Sequence, residues 1–422
     1  MQITKNKYDN KNTTIQKKVC VACGNNKLKL AINLGNMPNA NGLVSANDLK
    51  NVKSYPLKYY WCNKCGLLQQ LDKVDSSVLF KNNYTYHTGV NEPAVRHFKE
   101  LSVNISKKIK NRRFAVVIGS NDGTEISLLQ QAGFNKVIGI EPAKNIAAIA
   151  NKNNFKTIND FFTLKLSKNI IEKYGKADVV IANNVFAHIP NPKDMLSGMR
   201  NLLNTDGQII IEAQWFRDVF KKLSIETLYA EHYYEWSIKA IDKISKSCGV
   251  KLIHVEHLAD QQGGSIRCTL KLHGKKSKSL KKLEQKEIIT GIYSVKKILQ
   301  FQKRAEIRKA RLLKLLKKLK SENKRIAIWA VPAKVPTLLN FCEIDSSIIS
   351  AAYDSTPDKI NKIIPKANIK VSDEKLLNAN MKYMPDYILI GAWNYLDFAT
   401  KKLKWFTDKK GTLINMLNGK EV

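Results

Sequence analysis

The chain has 422 residues, 71 Lys+Arg against 36 Asp+Glu for a formal net charge of +35, 44% hydrophobic residues and 11 prolines. That apolar content excludes a disordered or collagen-like chain, and seven cysteines in this length exclude a minimal disulfide scaffold. The length leaves room for roughly two to four units, each burying its own core.

The segment from Met1 to Lys18 is polar and lysine-rich with no apolar run. No later stretch approaches the ~18 consecutive apolar residues of a membrane span, so the expected location is cytoplasmic. Charge of this size raises the question of a nucleic-acid partner. The lysines, however, are spread along the whole chain in a sequence rich in Asn and Ile, as AT-biased coding produces, which disfavours nucleic acid.

Cys20-x-x-Cys23-Gly24 and Cys62-x-x-Cys65-Gly66 stand 38 residues apart. Two such knuckles supply four thiolates for a tetrahedral zinc ion with no open position, so the metal is structural. Between them, Leu30 to Leu34 and Tyr59 to Trp61 read as short strands. The expected module spans residues 18–78.

A helix is expected from Pro93 to Lys110, and then an α/β alternation begins. Phe114 to Ile118 is a strand, Gly119-Ser-Asn-Asp-Gly-Thr124 a turn, and Glu125 to Ala132 a helix. Val137 to Ile140 is a second strand ending on Glu141-Pro142, followed by a helix from Ile146 to Asn151. Strands at Ala177 to Ala182 and Gln208 to Ile211 flank a helix from Pro192 to Leu203. The repeat of strand and helix makes this a doubly wound α/β domain with a parallel sheet, ligands lying at the carboxyl ends of its strands. Its expected span is residues 79–275.

From Lys281 to Lys320 the chain carries 14 basic and 3 acidic residues, with Ala305, Leu312, Leu316 and Leu319 at helical spacing. A solvated amphipathic helix connecting two domains, over residues 276–322, is the expectation. A second α/β cycle, residues 323–418, has strands at Arg325 to Ala330, Ile349 to Asp354, Tyr387 to Ile390 and Thr412 to Leu417, with a helix near Thr337 to Phe341.

A Gly-rich turn after the first strand, with an acid closing the second, suits a nucleoside: Gly119 and Gly123 permit close backbone approach, and Glu141 meets ribose hydroxyls. The turn lacks the dinucleotide Gly-x-Gly-x-x-Gly pattern, and Asp122 beside Asn121 repels a diphosphate while welcoming a sulfonium. That points to S-adenosylmethionine (SAM). Asp160 and Phe161, at the expected end of the third strand, are placed to meet adenine, and Asn183 closes the fourth.

In order along the chain, the two Cys knuckles, Tyr84-Thr-Tyr86-His87, Ile118 to Thr124, Gly139-Ile-Glu-Pro142, Asn183-Asn-Val-Phe-Ala-His188, Glu231-His232-Tyr233, Gly263-Gly-Ser265-x-Arg267, Pro332-Ala-Lys334 and Ala392-Trp-Asn394 together resemble one family. It is that of SAM-dependent C-methyltransferases of nucleotide-linked deoxysugars, found in antibiotic-sugar and surface-polysaccharide pathways. The resemblance implies a zinc module, a Rossmann-like SAM-binding methyltransferase domain, and a C-terminal Rossmann-like domain that helps enclose the substrate. It implies a 4-keto-6-deoxy sugar nucleotide methylated beside the ketone, most often at C3. Such chemistry needs a base for the alpha proton and a group to hold the enolate oxygen.

The resemblance makes His232 the base; Glu231, Tyr229, Tyr84 and Tyr86 are expected to orient it or hold the oxyanion. His188 is expected near the ketone or the sulfonium. Gly263, Gly264, Ser265, Arg267, Lys334 and Asn394 are the expected substrate contacts. Two departures stand out: Ala230 replaces a His of the family's Tyr-His-Glu-His-Tyr, and Trp329-Ala-Val-Pro-Ala333 replaces a Gly-rich turn. The competing reading is an RNA methyltransferase that uses the zinc module and basic surface. Against it, Asn183-Asn184-Val185 lacks the Pro-Pro-aromatic turn that grips a base amine. A monomer or weak homo-oligomer is the expected assembly.

Overall fold

The computed structural model describes residues 13–15, 18–76, 79, 84–379 and 384–422. Most of the lysine-rich opening, and residues 77 and 78 at the end of the expected zinc module, lie outside these.

The N-terminal strands are β1 (Thr13–Ile15), β2 (Leu28–Pro38), β3 (Ser54–Cys62), β4 (Leu68–Gln70) and β5 (Asp72–Val74). β2, β3 and β4 form an antiparallel meander, and β1 pairs with β5. Each Cys-x-x-Cys-Gly closes as a tight turn, with Gly24 N–H donating to the Cys20 carbonyl and Gly66 N–H to that of Cys62, both at 2.8 Å. Gly66 sits at φ +75°, a conformation that favours glycine, and the Tyr293 ring lies where a Cβ would be.

In the central domain, β6 (Phe114–Ile118), β7 (Lys136–Ile140), β8 (Thr157–Ile158), β9 (Ala177–Asn183) and β10 (Leu203–Gln214) run parallel. After β11 (Tyr234–Glu235) come β12 (Lys251–Leu258) and β13 (Ser265–Lys271), and the sheet order is β12-β13-β10-β9-β6-β7-β8. β13 is antiparallel to both neighbours, so the expected doubly wound sheet carries an antiparallel extension. The short β11 leaves this sheet and pairs antiparallel with β4, Tyr234 opposite Gln69 and Glu235 opposite Leu68. The segment between the central domain's strands thereby becomes the fourth strand of the zinc module.

The C-terminal sheet consists of β14 (Ile326–Trp329), β15 (Ala351–Asp354), β16 (Ile363–Ile364), β17 (Ile369–Asp373), β18 (Tyr387–Ile390), β19 (Thr412–Asn415) and β20 (Lys420–Glu421), ordered β16-β17-β15-β14-β18-β19-β20. Its five inner strands are parallel, as a second Rossmann-like unit requires.

The basic connector differs from the expected solvated tether. It forms helices Lys278–Thr290, Val295–Leu299 and Phe301–Ser321, and the last buries Phe301, Ala305, Leu312, Leu316 and Leu319 in a core shared with β2, β3 and the C-terminal strands. The helical spacing of these apolar residues is spent on packing, and the lysines occupy the outer face. A second core joins Cys20, Cys62 and Cys65 to the central sheet through Tyr233, Tyr234 and Trp236. The zinc module is thus wedged against both α/β units. Among the described residues no helix is long and apolar enough to cross a membrane.

Leu316→Ala, at a fully buried position of the long helix, should cost about 2–5 kcal/mol in chemical denaturation. Exposed Lys314→Ala should stay within about 0.5 kcal/mol of the parent.

Candidate active site

The four thiols meet the geometric demands of a metal centre. All four sulfurs lie within 4.8 Å of one another, with Cys20–Cys65 at 3.5 Å and Cys23–Cys62 at 3.6 Å. A tetrahedron with Zn–S of about 2.3 Å has edges of about 3.8 Å. The Asn25 amide donates to Cys62 Sγ at 3.4 Å, the kind of outer contact that orients a ligand.

A cavity of about 470 Å³ lies where the carboxyl ends of β6, β7, β9 and β10 face those of β14, β15 and β18. Both α/β units therefore contribute to one chamber, as the strand-end rule for such sheets anticipates.

On the central-domain side, Gly119 (φ +67°) brings its backbone against the Val185 side chain, where a Cβ would clash. Asn121, also left-handed at φ 51°, donates its N–H to Glu141 Oε2 at 3.0 Å, and Ala143 N–H donates to Oε1 at 2.8 Å. Burial pushes the Glu141 carboxyl up to about 7. The Asn121 side chain accepts from Thr88 N–H and donates to the Tyr86 carbonyl, fixing the segment that carries Tyr84 and Tyr86 along the cavity wall. Asn183 Nδ2 donates to Glu125 Oε1 at 2.6 Å, while its Oδ1 is buried with no partner among the described residues.

Three expected cofactor contacts are corrected. Asp122 does not line the cavity: it accepts from Gly89 N–H at 2.7 Å and from the N–H and hydroxyl of Thr124, satisfying donors at the start of the helix Thr124–Gln131. Gly123 also lies outside the cavity lining, packed against the Phe155 ring. Asp160 is exposed and accepts from the neighbouring Phe161 N–H, leaving Phe161 and Phe162 to line the chamber. Glu125 was missed. In sequence it is one more acid in a first helical turn, yet it is buried on the cavity wall, and burial pushes its carboxyl up to about 8.

The expected base stands at the junction of the two sides. His232 Nδ1 lies 2.8 Å from the Thr227 carbonyl, which must accept, so the ring proton is on Nδ1. Nε2 is then the acceptor of the Tyr229 hydroxyl at 2.8 Å, and both residues line the cavity. His188 spends its Nδ1–H on the Glu231 carbonyl at 2.7 Å while its ring lines the cavity. Burial pushes both imidazoles down to about 3, helped at His232 by the Lys334 ammonium and at His188 by His232. Both rings are therefore neutral at physiological pH. The side chain of Glu231 is a further correction: it is fully buried outside the cavity lining and accepts from Asn41 N–H and Nδ2 at 3.0 and 3.1 Å.

The carbonyls around this base are held from the zinc module. Tyr59 on β3 places its hydroxyl 2.6 Å from the His232 carbonyl and 3.0 Å from that of Tyr229. Gln70 on β4 donates its amide to the same two carbonyls at 2.7 and 3.1 Å.

On the C-terminal side, Lys334 and Asn394 line the cavity, Lys334 Nζ donating to Asn394 Oδ1 at 2.5 Å and lying over the Trp393 ring. Burial pushes Lys334 down to about 7. Arg267 is corrected: its guanidinium is engaged by Glu212 at 2.5 Å and Glu256 at 3.0 Å, outside the lining. Gly263, Gly264 and Ser265 form the turn into β13 and likewise stay out of it, with Ser265 Oγ donating to the Gln261 carbonyl; Gln262 alone of that turn reaches the chamber. Trp329, already noted as a departure from the family's Gly-rich turn, lines it too, as do Asp354, Lys359, Tyr395 and Lys402, which were not singled out in sequence. Asp354 closes β15 and accepts the Val331 N–H at 2.7 Å, repeating the Glu141–Asn121 arrangement in the second unit. An acid ending the second strand was the available signal.

Three family models match in chain order: a "Putative zinc binding domain" over residues 20–80, a methyltransferase domain over residues 104–255, and a C-methyltransferase C-terminal domain over residues 260–417. The C-methyltransferase NovU of Streptomyces niveus is 27% identical over 402 residues, 94% of each chain. Among solved structures, the PH0226 protein of Pyrococcus horikoshii OT3 is similar at 16% identity over 44% of this chain and 94% of that one, with a TM-score of 0.36. The magnesium protoporphyrin IX methyltransferase of Synechocystis PCC 6803 with bound SAM is similar at 16% identity over 42% and 81%, with a TM-score of 0.32. These similarities do not favour the RNA methyltransferase reading.

SAM affinity, measured calorimetrically, should weaken as pH falls through about 7, because protonating Glu141 removes the acceptor a ribose hydroxyl needs. Glu141→Ala should cost about 1.5–3 kcal/mol, roughly 10- to 150-fold in Kd, and an unchanged Kd would place the ribose elsewhere. Metal analysis should return one zinc per chain, and chelation should perturb the fluorescence of Trp61, adjacent to Cys62, before the far-UV signal of the central domain falls.

Proposed function

We propose that this chain, a SAM-dependent C-methyltransferase, methylates the carbon next to the ketone of a nucleotide-linked 4-keto-6-deoxy sugar, with His232 removing the alpha proton. The observation that carries this reading is the neutral His232 ring on the cavity wall, its Nδ1–H tied to Thr227 and its Nε2 lone pair met by the Tyr229 hydroxyl.

A carbon beside a ketone becomes nucleophilic only as the enolate, so a neutral base must reach it in a site that excludes water. In the proposed reaction the substrate C–H takes the place of the Tyr229 hydroxyl at Nε2. The freed phenol, with Tyr84 and Tyr86 on the same wall, donates to the developing enolate oxygen. SAM, when bound, would supply an electrophilic methyl group: the enolate carbon would bond to that methyl as its C–S bond breaks and the neutral thioether leaves with the electron pair. Glu141 accepts from the ribose of that donor, and the unpartnered Asn183 Oδ1 and buried Glu125 accept from its cationic amino-acid end. Phe161 and Phe162 offer rings to its adenine.

The sugar-nucleotide assignment is supported by the second wall. Lys334, Lys359 and Lys402 bring ammonium groups to the C-terminal side, and Trp329, Tyr395 and Phe398 bring rings. Cations beside aromatic faces match a diphosphate joined to a nucleobase. Asn394, bonded to Lys334, orients that ammonium.

Purified protein with SAM and a panel of 4-keto-6-deoxy sugar nucleotides should add one methyl to a panel member, seen by mass spectrometry. Exchange of the alpha proton in D₂O should precede transfer. His232→Ala should lower kcat about 10²- to 10⁴-fold with SAM affinity retained. Full activity of that variant would remove His232 from the role, and methylation of total RNA with none of the panel would overturn the substrate.

A further inference from the structure

Behind His232, on the side away from the cavity, sits a carboxylate that the chemistry so far leaves unused. Glu235 is fully buried, its Oε1 lies 3.2 Å from His232 Nδ1, and its Oε2 has no partner among the described residues. Its one ion-pair partner among those residues is His232. Burying a carboxylate beside a single neutral ring is costly, and a glutamine or methionine would fill the space at lower cost.

We propose that Glu235 is a positioning residue for the base, completing a Tyr229–His232–Glu235 relay whose third member is set in place by the zinc module. The inference rests on the reading of His232 as the base. Thr227, at 2.8 Å, selects the tautomer, as any carbonyl would. Burial holds the Glu235 carboxyl well above the usual carboxylate range while the ring is neutral; in its ionised form it adds what a carbonyl lacks, a full negative charge beside the ring when that becomes an imidazolium. In that step the substrate C–H bond breaks, its electron pair enters the enolate, and its proton forms an N–H bond at Nε2. Positive charge then appears on the ring at the Glu235 edge. A buried pair at this spacing interacts far more strongly than it would in water.

Register explains why Glu235 is so placed. It belongs to β11, paired with Leu68 of β4 a few residues after the Cys62–Cys65 knuckle. Tyr59 and Gln70 hold the backbone of His232 from neighbouring strands of the same sheet. Base and carboxylate are therefore fixed to one metal-stapled frame.

The groups facing the ring from other elements are few. Tyr229 meets Nε2, the neutral His188 ring is 4.7 Å away, and the Lys334 ammonium opposes protonation. Glu231 turns its carboxylate to Asn41. Removing the Glu235 charge leaves the lysine unopposed from behind, so the imidazole becomes a weaker base.

Glu235→Gln, isosteric and still an acceptor for Nδ1–H, tests the charge alone in the full-length zinc-loaded protein, using the panel sugar nucleotide that turns over fastest. Expected are a fall in kcat of about 10- to 100-fold with KM nearly unchanged and slower alpha-proton exchange in D₂O. The acid limb of the kcat/KM profile should move to lower pH. SAM affinity, zinc content and melting temperature should match the parent. A Glu235→Gln enzyme with parental rate and pH profile overturns the proposal, as does one whose lost activity is matched by lost zinc or SAM binding. If His232→Ala is inactive while Glu235→Gln is normal, the relay fails and the base stands; if His232→Ala is fully active, both fall.

Discussion

The hydrogen bonds from Tyr59 and Gln70 to the carbonyls of Tyr229 and His232 are the constraint on which the rest of the site depends. Residues 229–232 form a turn without regular structure of their own, and such a segment keeps a defined conformation only if its backbone polar groups find fixed partners. Here both partners sit on strands that a four-thiol knuckle staples together. A metal centre remote from the chemistry thereby holds the group proposed to perform it, which gives a structural zinc a catalytic consequence without any open coordination position.

The same wedge joins the two α/β units. Strands β2 and β3 share a core with the long basic helix and the C-terminal sheet, while the knuckles share one with the central sheet. Two sheets whose strand ends merely faced each other across a flexible tether would define no cavity. Packed through a common third body, they define one chamber with an acid-lined and a lysine-lined side. The high net charge has a matching interpretation: the densest basic stretch is the solvent face of a packed helix, and the lysines that enter the chamber are few.

Much of this architecture was legible from residue patterns. The strand Phe114–Ile118, the turn that follows, Glu141 directly after the next strand, and Tyr387–Ile390 lie where alternation and turn chemistry put them. The misplacements share a cause. Asp122 satisfies Gly89 and a helix start, Arg267 is taken by Glu212 and Glu256, and Glu231 turns to Asn41. Each is a charged side chain whose direction was set at least in part by a partner far along the chain, which no local motif records. Glu125 and Glu235 were overlooked for the complementary reason. In sequence they are ordinary acids, and only burial makes them unusual.

The sequence by itself determined the zinc donor set, the succession of α/β units and the acid at the end of the second strand, because these depend on spacing within a few residues and on side-chain chemistry that folding does not alter. Only the tertiary structure decided which nitrogen of His232 carries the proton, which carboxylate stands behind it, and which of the candidate residues reach the chamber. Those properties arise from hydrogen bonds between residues more than 170 positions apart and from the removal of water around charged groups. Neither exists until the three parts of the chain have packed together.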